Sequence, residues 1–275
     1  MSNLHSLLRD LQRRKARERR GLVVAEGRRL VADALAARAT VRAVLAADDV
    51  AEGPVAPLLA EARLRGIAVE VCGRKAFQEF ADTDSPSGVL AVVEWAPAAL
   101  ADVRLPDGAA VVLVLDAVQD PGNVGTMIRS AFALGADLTV ALDGSADLGN
   151  AKTLRAAMGA VFRHPVAHAH AAECLAFLAA RQVVLWAATM DGEPIGRSAA
   201  AAGRATTAPE QAAAASAEAV PSRLALAVGN EGGGLRPELL ARAARRVAVP
   251  MRQSAESLNA AVAAGILLFQ VLDVR

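Results

Sequence analysis

Three polar loops, each leaving an apolar run, hold the residues best placed to do chemistry. Residues 116–123 (DAVQDPGN) follow the Val-rich run Ala110–Leu115. Residues 229–234 (GNEGGG) follow Arg223–Val228, and residues 250–257 (PMRQSAES) follow Arg246–Val249. In and just beyond these loops lie the amides of Asn123 and Asn259, the Ser257 hydroxyl and the Glu231 carboxylate. The Arg129 guanidinium stands six residues past Asn123. In a parallel sheet such loops leave the same edge and can converge on one site. Their glycines can expose backbone N–H and C=O groups and let a flat ligand approach closely. Several chemistries are poorly supported. No GxxxxGK[ST] cradles a triphosphate, and no GxGxxG opens the first strand–helix unit. No Cys/His cluster has metal-ligand spacing; His164, His168 and His170 read as satisfied or surface residues, and no metal is expected. A cysteine nucleophile would lack a local partner.

The elements that must position these residues follow from pattern. Val124, Met127, Ile128, Ala131 and Leu134 share one side of a helix that Gly135 ends, so Asn123 sits where a strand hands over to a helix. Taken alone, that unit also fits an ordinary crossover with a solvent-facing Arg129. Leu138–Leu142 reads as a strand, Ala151–Gly159 as a helix, Val161–Val166 as extended chain, Glu173–Ala180 as a helix and Gln182–Ala187 as a strand. After Arg223–Val228 come a helix Glu238–Ala244, a strand Arg246–Val249 and a helix from about Glu256 to Val271. Ser257 and Asn259 fall in that helix's first turn. Leu258, Val262, Ile266 and Phe269 form its expected buried stripe, with Gly265 allowing close backbone approach. The alternation predicts a mostly parallel sheet with helices on both faces.

Upstream, residues 21–95 read as a smaller α/β domain: strands at Gly21–Ala25, Val41–Ala46, Ile67–Cys72 and Val89–Val93, helices at Glu26–Ala39, Pro54–Arg65 and Lys75–Phe80. Residues 96–109, punctuated by Pro and Gly, read as a linker, and 110–275 as the second domain. Residues 1–20 read as a basic N-terminal arm: Leu4, Leu7, Leu8 and Leu11 suggest a short amphipathic helix, and seven basic and two acidic residues between Arg9 and Arg20 make it either a solvated helix or an RNA backbone contact. The alanine-rich segment 198–220 has no large side chains to pack and reads as a flexible loop.

Composition is that of a chain able to bury a substantial core. Of 275 residues 54% are apolar, which excludes global disorder. Thirty basic and 29 acidic residues leave a net charge of +1, so any nucleic-acid surface must arise from distribution. Aromatic residues are 3%, too few for base-stacking platforms, and RNA binding would lean on arginines and shape. Cys72 and Cys174 read as buried free thiols, which suits a reducing, cytoplasmic compartment. No secretory signal or membrane span is expected.

The three loops together resemble the signature of the SpoU (TrmH-like) family of RNA ribose 2'-O-methyltransferases, in the SPOUT superfamily. Asn123, Gly125, Arg129 and Ala131 match NxGxxxRxA; Gly229, Glu231 and Gly234 match GxExxG; VPMRQSAESLN (Val249–Asn259) resembles IPMxGxxESLN. KTLRAAMGAVFRHPV (152–166) is similar to the segment between the first two motifs. VVAEGRRLVADAL and SPSGVLAVV resemble the accessory, ribosomal-protein-like RNA-binding domain. Gln253 departs from the family's Gly.

The resemblance implies a C-terminal sheet tied in a trefoil knot, a homodimer, S-adenosylmethionine as methyl donor and structured RNA as substrate, ribosomal ahead of transfer RNA. DNA and membrane partners are not expected. It implies that Gly229, Val249 and Leu258 lie against the donor, with Met251 shaping the pocket. Arg129 is the implied catalytic residue; a guanidinium holds its proton at neutral pH, so orienting substrate and stabilising negative charge suits it better than acting as base. Asn123, Ser257 and Asn259 would orient ribose, loops and Arg129. Glu231 would hold Arg129 or a loop amide, or be purely structural. Arg28, Arg29, Lys152 and Arg155 are candidate RNA contacts or simply solvated. A non-catalytic RNA-binding assembly protein of the same fold and a small-molecule methyltransferase are the competing readings.

Overall fold

A computed structural model describes residues 3–195, 220–251 and 257–273. The chain forms two compact units. The first comprises Met1–Pro97 with Val124–Arg129 and Ala146–Arg163; the second comprises Ala98–Asn123, Ser130–Ser145 and His164–Arg275.

In the first unit, β1 (Leu22–Glu26), β4 (Val89–Glu94), β2 (Val41–Ala47) and β3 (Ala68–Cys72) form a sheet in that order. β4 runs antiparallel to both neighbours, and β2 and β3 are parallel. Helix α3 (Arg28–Ala36) buries Leu30, Val31, Ala34 and Leu35, the face its periodicity predicts. The helix expected over Pro54–Arg65 is α5 (Ala56–Leu64), with Pro57 in its first turn, where a missing N–H costs nothing; a short helix α4 (Asp48–Ala51), not expected from the sequence, precedes it. α6 spans Arg74–Gln78.

The basic segment is not an arm. It folds as α1 (Asn3–Leu11) and α2 (Arg14–Arg20), and Leu8 and Leu11 lie in one core cluster with Leu45, Phe77, Phe80, Leu90 and Val92. The leucines set at helical spacing had a sheet face to cover. Two segments of the expected second domain also belong to this unit, Val124–Arg129 and Ala146–Arg163. Helix α8 (Ala151–Ala157) packs on β1, and Trp95 Nε1 donates to the Val161 carbonyl at 2.8 Å.

The second unit is built on a seven-stranded sheet of β11 (Arg245–Ala248), β9 (Val184–Pro194), β10 (Arg223–Gly229), β6 (Ala110–Asp116), β7 (Leu138–Leu142), β8 (Val166–Ala169) and β5 (Ala98–Ala99), in that order. Every pairing is parallel. Its central strands β6 and β10 are largely apolar and buried, as expected of a sheet covered on both faces. The expected linker belongs to it: Ala98 and Ala99 pair with Ala167 and His168, and Leu100 and Val103 are buried in its core. Two alanines carry no strand signal of their own, and the partner strand is some 70 residues away. The extended stretch expected over Val161–Val166 is a 3-10 turn at Ala160–Phe162, and the strand begins only at Val166.

Helices α7 (Pro121–Leu134), α9 (Ala171–Ala180), α10 (Pro237–Arg242) and α11 (Ala260–Asp273) complete the described elements. In α11 the expected buried stripe is reversed. Ala260, Ala261, Ala264, Leu267, Leu268 and Val271 are buried, whereas Val262 is 51% and Phe269 55% exposed. α11 is apolar nearly all round, so periodicity cannot say which side faces the sheet. Gly265 is not a close-approach position: a Cβ there would meet Ser130 Oγ at 3.7 Å, an ordinary contact. Among the described residues no helix is long and apolar enough to cross a membrane. Cys174 is buried, and burial pushes its thiol up to about 12; Cys72 is half-buried, and both are free. Most of the alanine-rich segment 198–220 and Gln253 lie outside the described residues.

Candidate active site

The loops at the carboxyl ends of β6 and β10 are held together by buried charge. Asp116, the last residue of β6, is 1% exposed. Its Oδ1 accepts from Arg236 Nε at 2.6 Å and its Oδ2 from the Arg236 backbone N–H at 2.7 Å, while Arg236 Nη2 donates to the Asp143 carbonyl at 2.8 Å. One arginine therefore ties the exits of β6, β7 and β10. A carboxylate this buried is tolerable only when so paired. The next residue, Ala117, has φ +53°, a left-handed conformation that costs energy for alanine. Its carbonyl is fixed by Asn230 Nδ2 at 2.9 Å.

Residues 229–234 form a closed ring. Asn230 and Gly234 exchange backbone hydrogen bonds at 3.1 and 2.9 Å, and Asn230 Oδ1 accepts from the N–H groups of Gly232 and Gly233 at 2.8 and 3.0 Å. Gly229 is obligatory: a Cβ there would lie 2.3 Å from the Gly234 carbonyl carbon and 2.6 Å from the Leu235 nitrogen. Neither Asp116, Arg236 nor Asn230 is called out by sequence reasoning. The signal for Asn230, an Asn directly before a glycine run, was available in the loop chemistry.

Three candidate residues meet in one hydrogen-bond chain. Asn123 Nδ2 donates to Glu231 Oε1, and Asn259 Nδ2 donates to Asn123 Oδ1 at 3.0 Å. Asn259 Oδ1 accepts from the N–H groups of Ala261 and Val262 at 2.9 and 3.3 Å, capping α11. Ser257 and Asn259 thus precede the last helix instead of lying in its first turn. Capping fixes which end of the Asn259 amide faces Asn123, and this fixes the Asn123 NH₂ toward Glu231. Asn123 itself is placed by Asp120, whose side chain accepts its backbone N–H at 2.8 Å at the start of α7. Glu231 thus accepts from the side-chain amide of Asn123.

Beside this chain lies a cavity of about 460 Å³ within the second unit. Gly229, Val249, Met251 and Leu258 all line it, as do Glu231, Ser257 and Asn259. The end of β9, from Ala188 to Asp191, forms a wall that the sequence did not announce, because β9 runs seven residues past the expected end at Ala187. Asp191 pairs with Arg246 at 3.3 Å on the same cavity.

Arg129 is exposed on α7 and makes no hydrogen bond or ion pair with another described residue. Arg28 and Arg29 are exposed at the start of α3. Lys152 is exposed on α8. Arg155, read as an RNA contact or a solvated side chain, is neither free nor fully exposed: its guanidinium reaches Glu26 at 3.2 Å and Asp82 at 2.6 Å. Glu26 is 5% exposed and also accepts from the Asp82 N–H at 2.8 Å and the Thr83 hydroxyl, so it needs this cation. His164 is a core residue bonded to Thr139 Oγ1 at 2.9 Å, while His168 and His170 flank Asp143. Among the described residues no group of three His, Cys, Asp or Glu could hold a metal.

Residues 110–269 match the SpoU rRNA Methylase family. The chain belongs to the SpoU rRNA methylase family. Residues 7–91 match the MRM3-like substrate binding domain. The chain is 34% identical over 266 residues to the 23S rRNA (guanosine(2553)-2'-O)-methyltransferase RlmP of Bacillus subtilis, covering 96% of this chain and 93% of that one. It is 32% identical over 217 residues to the 23S rRNA (adenosine(1067)-2'-O)-methyltransferase of Streptomyces laurentii, covering 77% and 72%. The structure is similar to an AdoMet-bound rRNA methyltransferase from Sinorhizobium meliloti, with TM-score 0.78, 28% identity and coverage of 98% and 94%. The protein is an RNA 2'-O-methyltransferase of the SpoU family, with S-adenosylmethionine as its cofactor. Its own cavity fits that group. The volume lies in the range of ligand pockets, its Leu and Val walls suit an adenosyl group, and the Asp191–Arg246 pair and Glu231 offer charges of both signs to a zwitterionic sulfonium.

Proposed function

We propose that this enzyme methylates one ribose 2'-hydroxyl in large-subunit ribosomal RNA, and that the observation carrying this reading is the Glu231–Asn123–Asn259 hydrogen-bond chain beside the cavity. The relatives named for 23S rRNA, and the substrate-binding match over residues 7–91, favour ribosomal over transfer RNA. In this reading Gly229, Val249, Met251 and Leu258 hold the cofactor, which when bound supplies an electrophilic methyl on a sulfonium. Methyl transfer needs the ribose oxygen in line with that methyl and stabilised as it loses its proton, so positioning carries much of the rate. Arg129, cationic and without a protein partner among the described residues, orients the target ribose or its phosphate and stabilises the developing oxyanion. Asn123 and Asn259 hold the loop geometry, Glu231 anchors Asn123, and Ser257 contributes a hydroxyl to the cavity.

The same reading makes the N-terminal domain, with Arg28, Arg29 and Lys152, the RNA-docking part, includes the family's trefoil knot and places the work in the cytoplasm. It also includes a homodimer, favoured by the exposed apolar stripe of Leu258, Val262 and Phe269. The test is transfer of labelled methyl from S-adenosylmethionine to fractionated ribosomal and transfer RNA, followed by site mapping. Transfer to a single large-subunit nucleotide, lost in Arg129→Ala with cofactor binding retained, is expected. Undiminished transfer by Arg129→Ala, or transfer confined to transfer RNA, would overturn the assignment.

A further inference from the structure

α1 and α2 divide their residues between two tasks. One face anchors: Leu8, Leu11 and Ala16 are buried, and Arg17, whose side chain is 12% exposed, donates to the carbonyls of Leu11 at 2.8 Å and Gln12 at 2.9 Å and pairs with Asp147. The other face is an open concavity of about 750 Å³ lined by Arg9, Arg13, Arg19 and Arg20 around a single carboxylate, Asp10. Arg20 Nε reaches Asp10 Oδ2 at 2.8 Å, Arg19 Nη2 reaches the same oxygen at 3.4 Å, and Arg13 pairs with Oδ1. Arg20 and Arg13, in that order, hold the Asp10 carboxyl below its usual range.

Folding does not call for this arrangement. Arg13 and Arg19 keep 75% and 70% of their side-chain surface exposed, and surface pairs of this kind contribute little stability. Its effect is electrostatic. One carboxylate gathers three guanidiniums that would otherwise repel, and Arg9 pairs with the Glu79 carboxylate at 2.8 Å. The concavity keeps an excess of two positive charges, with the outer edges of Arg13 and Arg19 turned to solvent. Guanidinium forks match phosphate oxygens bidentately. Among the described residues of α1 and α2 no large apolar side chain is exposed, and Leu7, the one apolar residue lining the concavity, is half-buried against the core beneath, so the surface lacks the anchor that a protein partner or a bilayer would require.

We propose that the Asp10-centred concavity of Arg9, Arg13, Arg19 and Arg20 is a phosphate-docking surface for the RNA substrate. It rests on the RNA substrate proposed above, and it adds a surface distinct from Arg28, Arg29 and Lys152. It fixes where the RNA backbone lies and reads no base.

The test compares the full-length protein with Arg13→Ala/Arg19→Ala and with Arg63→Ala, an exposed arginine on α5 away from the concavity. Transcribed hairpins of large-subunit ribosomal RNA are titrated over a range of salt, and methyl transfer is followed separately. The double variant is expected to bind about tenfold more weakly, and the slope of log affinity against log salt to flatten by roughly one to two units. Its KM for RNA should rise while kcat and cofactor affinity hold, with Arg63→Ala unchanged. Wild-type affinity and salt slope in the double variant, equal losses in both variants, or loss of binding to an acidic protein instead of RNA would overturn the inference. If the wild type binds hairpins but methylates none of them, the rRNA reading fails while the docking comparison still stands.

Discussion

Gly125→Ala tests whether the glycine of the first motif is structural. Gly125 lies in the second turn of α7, and a Cβ there would sit 2.3 Å from the Thr153 carbonyl oxygen, 2.7 Å from Ala156 Cβ and 2.9 Å from the Ala157 nitrogen. Two of these are backbone atoms of α8, so rotating a side chain relieves nothing. Reaching ordinary contact requires α7 and α8 to part by about 1 Å. Overpacking of this kind costs about 1–3 kcal/mol. A chain of this size loses roughly 2–4 °C of melting temperature per kcal/mol, so the midpoint should fall by about 2–12 °C. α7 also carries Asn123 and Arg129, and a shift near 1 Å can lower transfer about a hundredfold. Gly265→Ala is the control: its Cβ has room, and the helix should gain up to about 1 kcal/mol from propensity. Scanning calorimetry and single-turnover methyl transfer read both variants. A Gly125→Ala protein that melts within a degree of wild type at full activity would refute the close-packing argument.

The Asn259 amide can be dissected by two changes: Asn259→Asp retains the oxygen that caps α11 but cannot donate to Asn123, so stability should hold while transfer falls at least tenfold, whereas Asn259→Ala should also lose about 1 kcal/mol of stability. Equal activity in Asn259→Asp and wild type would show that the amide chain is dispensable. His164 gives a pH signature. Burial lowers its imidazole from 6.5 to about 4, so the unfolded chain binds the extra proton between those values. Stability is therefore full above about pH 6.5 and declines as pH falls toward 4, by up to about 3 kcal/mol. Urea midpoints at pH 7 and 4.5 should show a smaller drop in His164→Gln than in wild type; equal drops would refute it.

Much of the site was legible because its residues are local in sequence. Asn123 and Glu231 each follow a strand within a few residues, and glycine or proline marks each turn, so period and turn chemistry alone located them. Strand order decided what touches. That Asn123 takes Glu231 as a partner, 108 residues away, follows from β6 lying beside β10, and Asn259, 136 residues away, reaches it from beyond β11; no local pattern encodes either. The errors share a cause. The leucine spacing of the basic segment marked a helix but not its partner, and the linker carried no strand signal; each was placed by a distant surface, Leu8 and Leu11 by Phe77 and Leu90, Ala98 by Ala167. α11 failed in the opposite way, with too much apolar signal to mark one face.

The sequence by itself determined most of the element types, the parallel sheet and the residues that carry the motifs, since these follow from backbone propensity, side-chain period and turn chemistry within short windows. Only the tertiary structure decided which arginines are available. Arg155 is consumed by the buried Glu26, Arg236 by Asp116 and Arg17 by Asp147, while Arg129 faces solvent and Arg13 and Arg19 crowd around Asp10. The physical reason is that a buried carboxylate must find a cation. Which arginine it takes depends on what folding brings within about 4 Å.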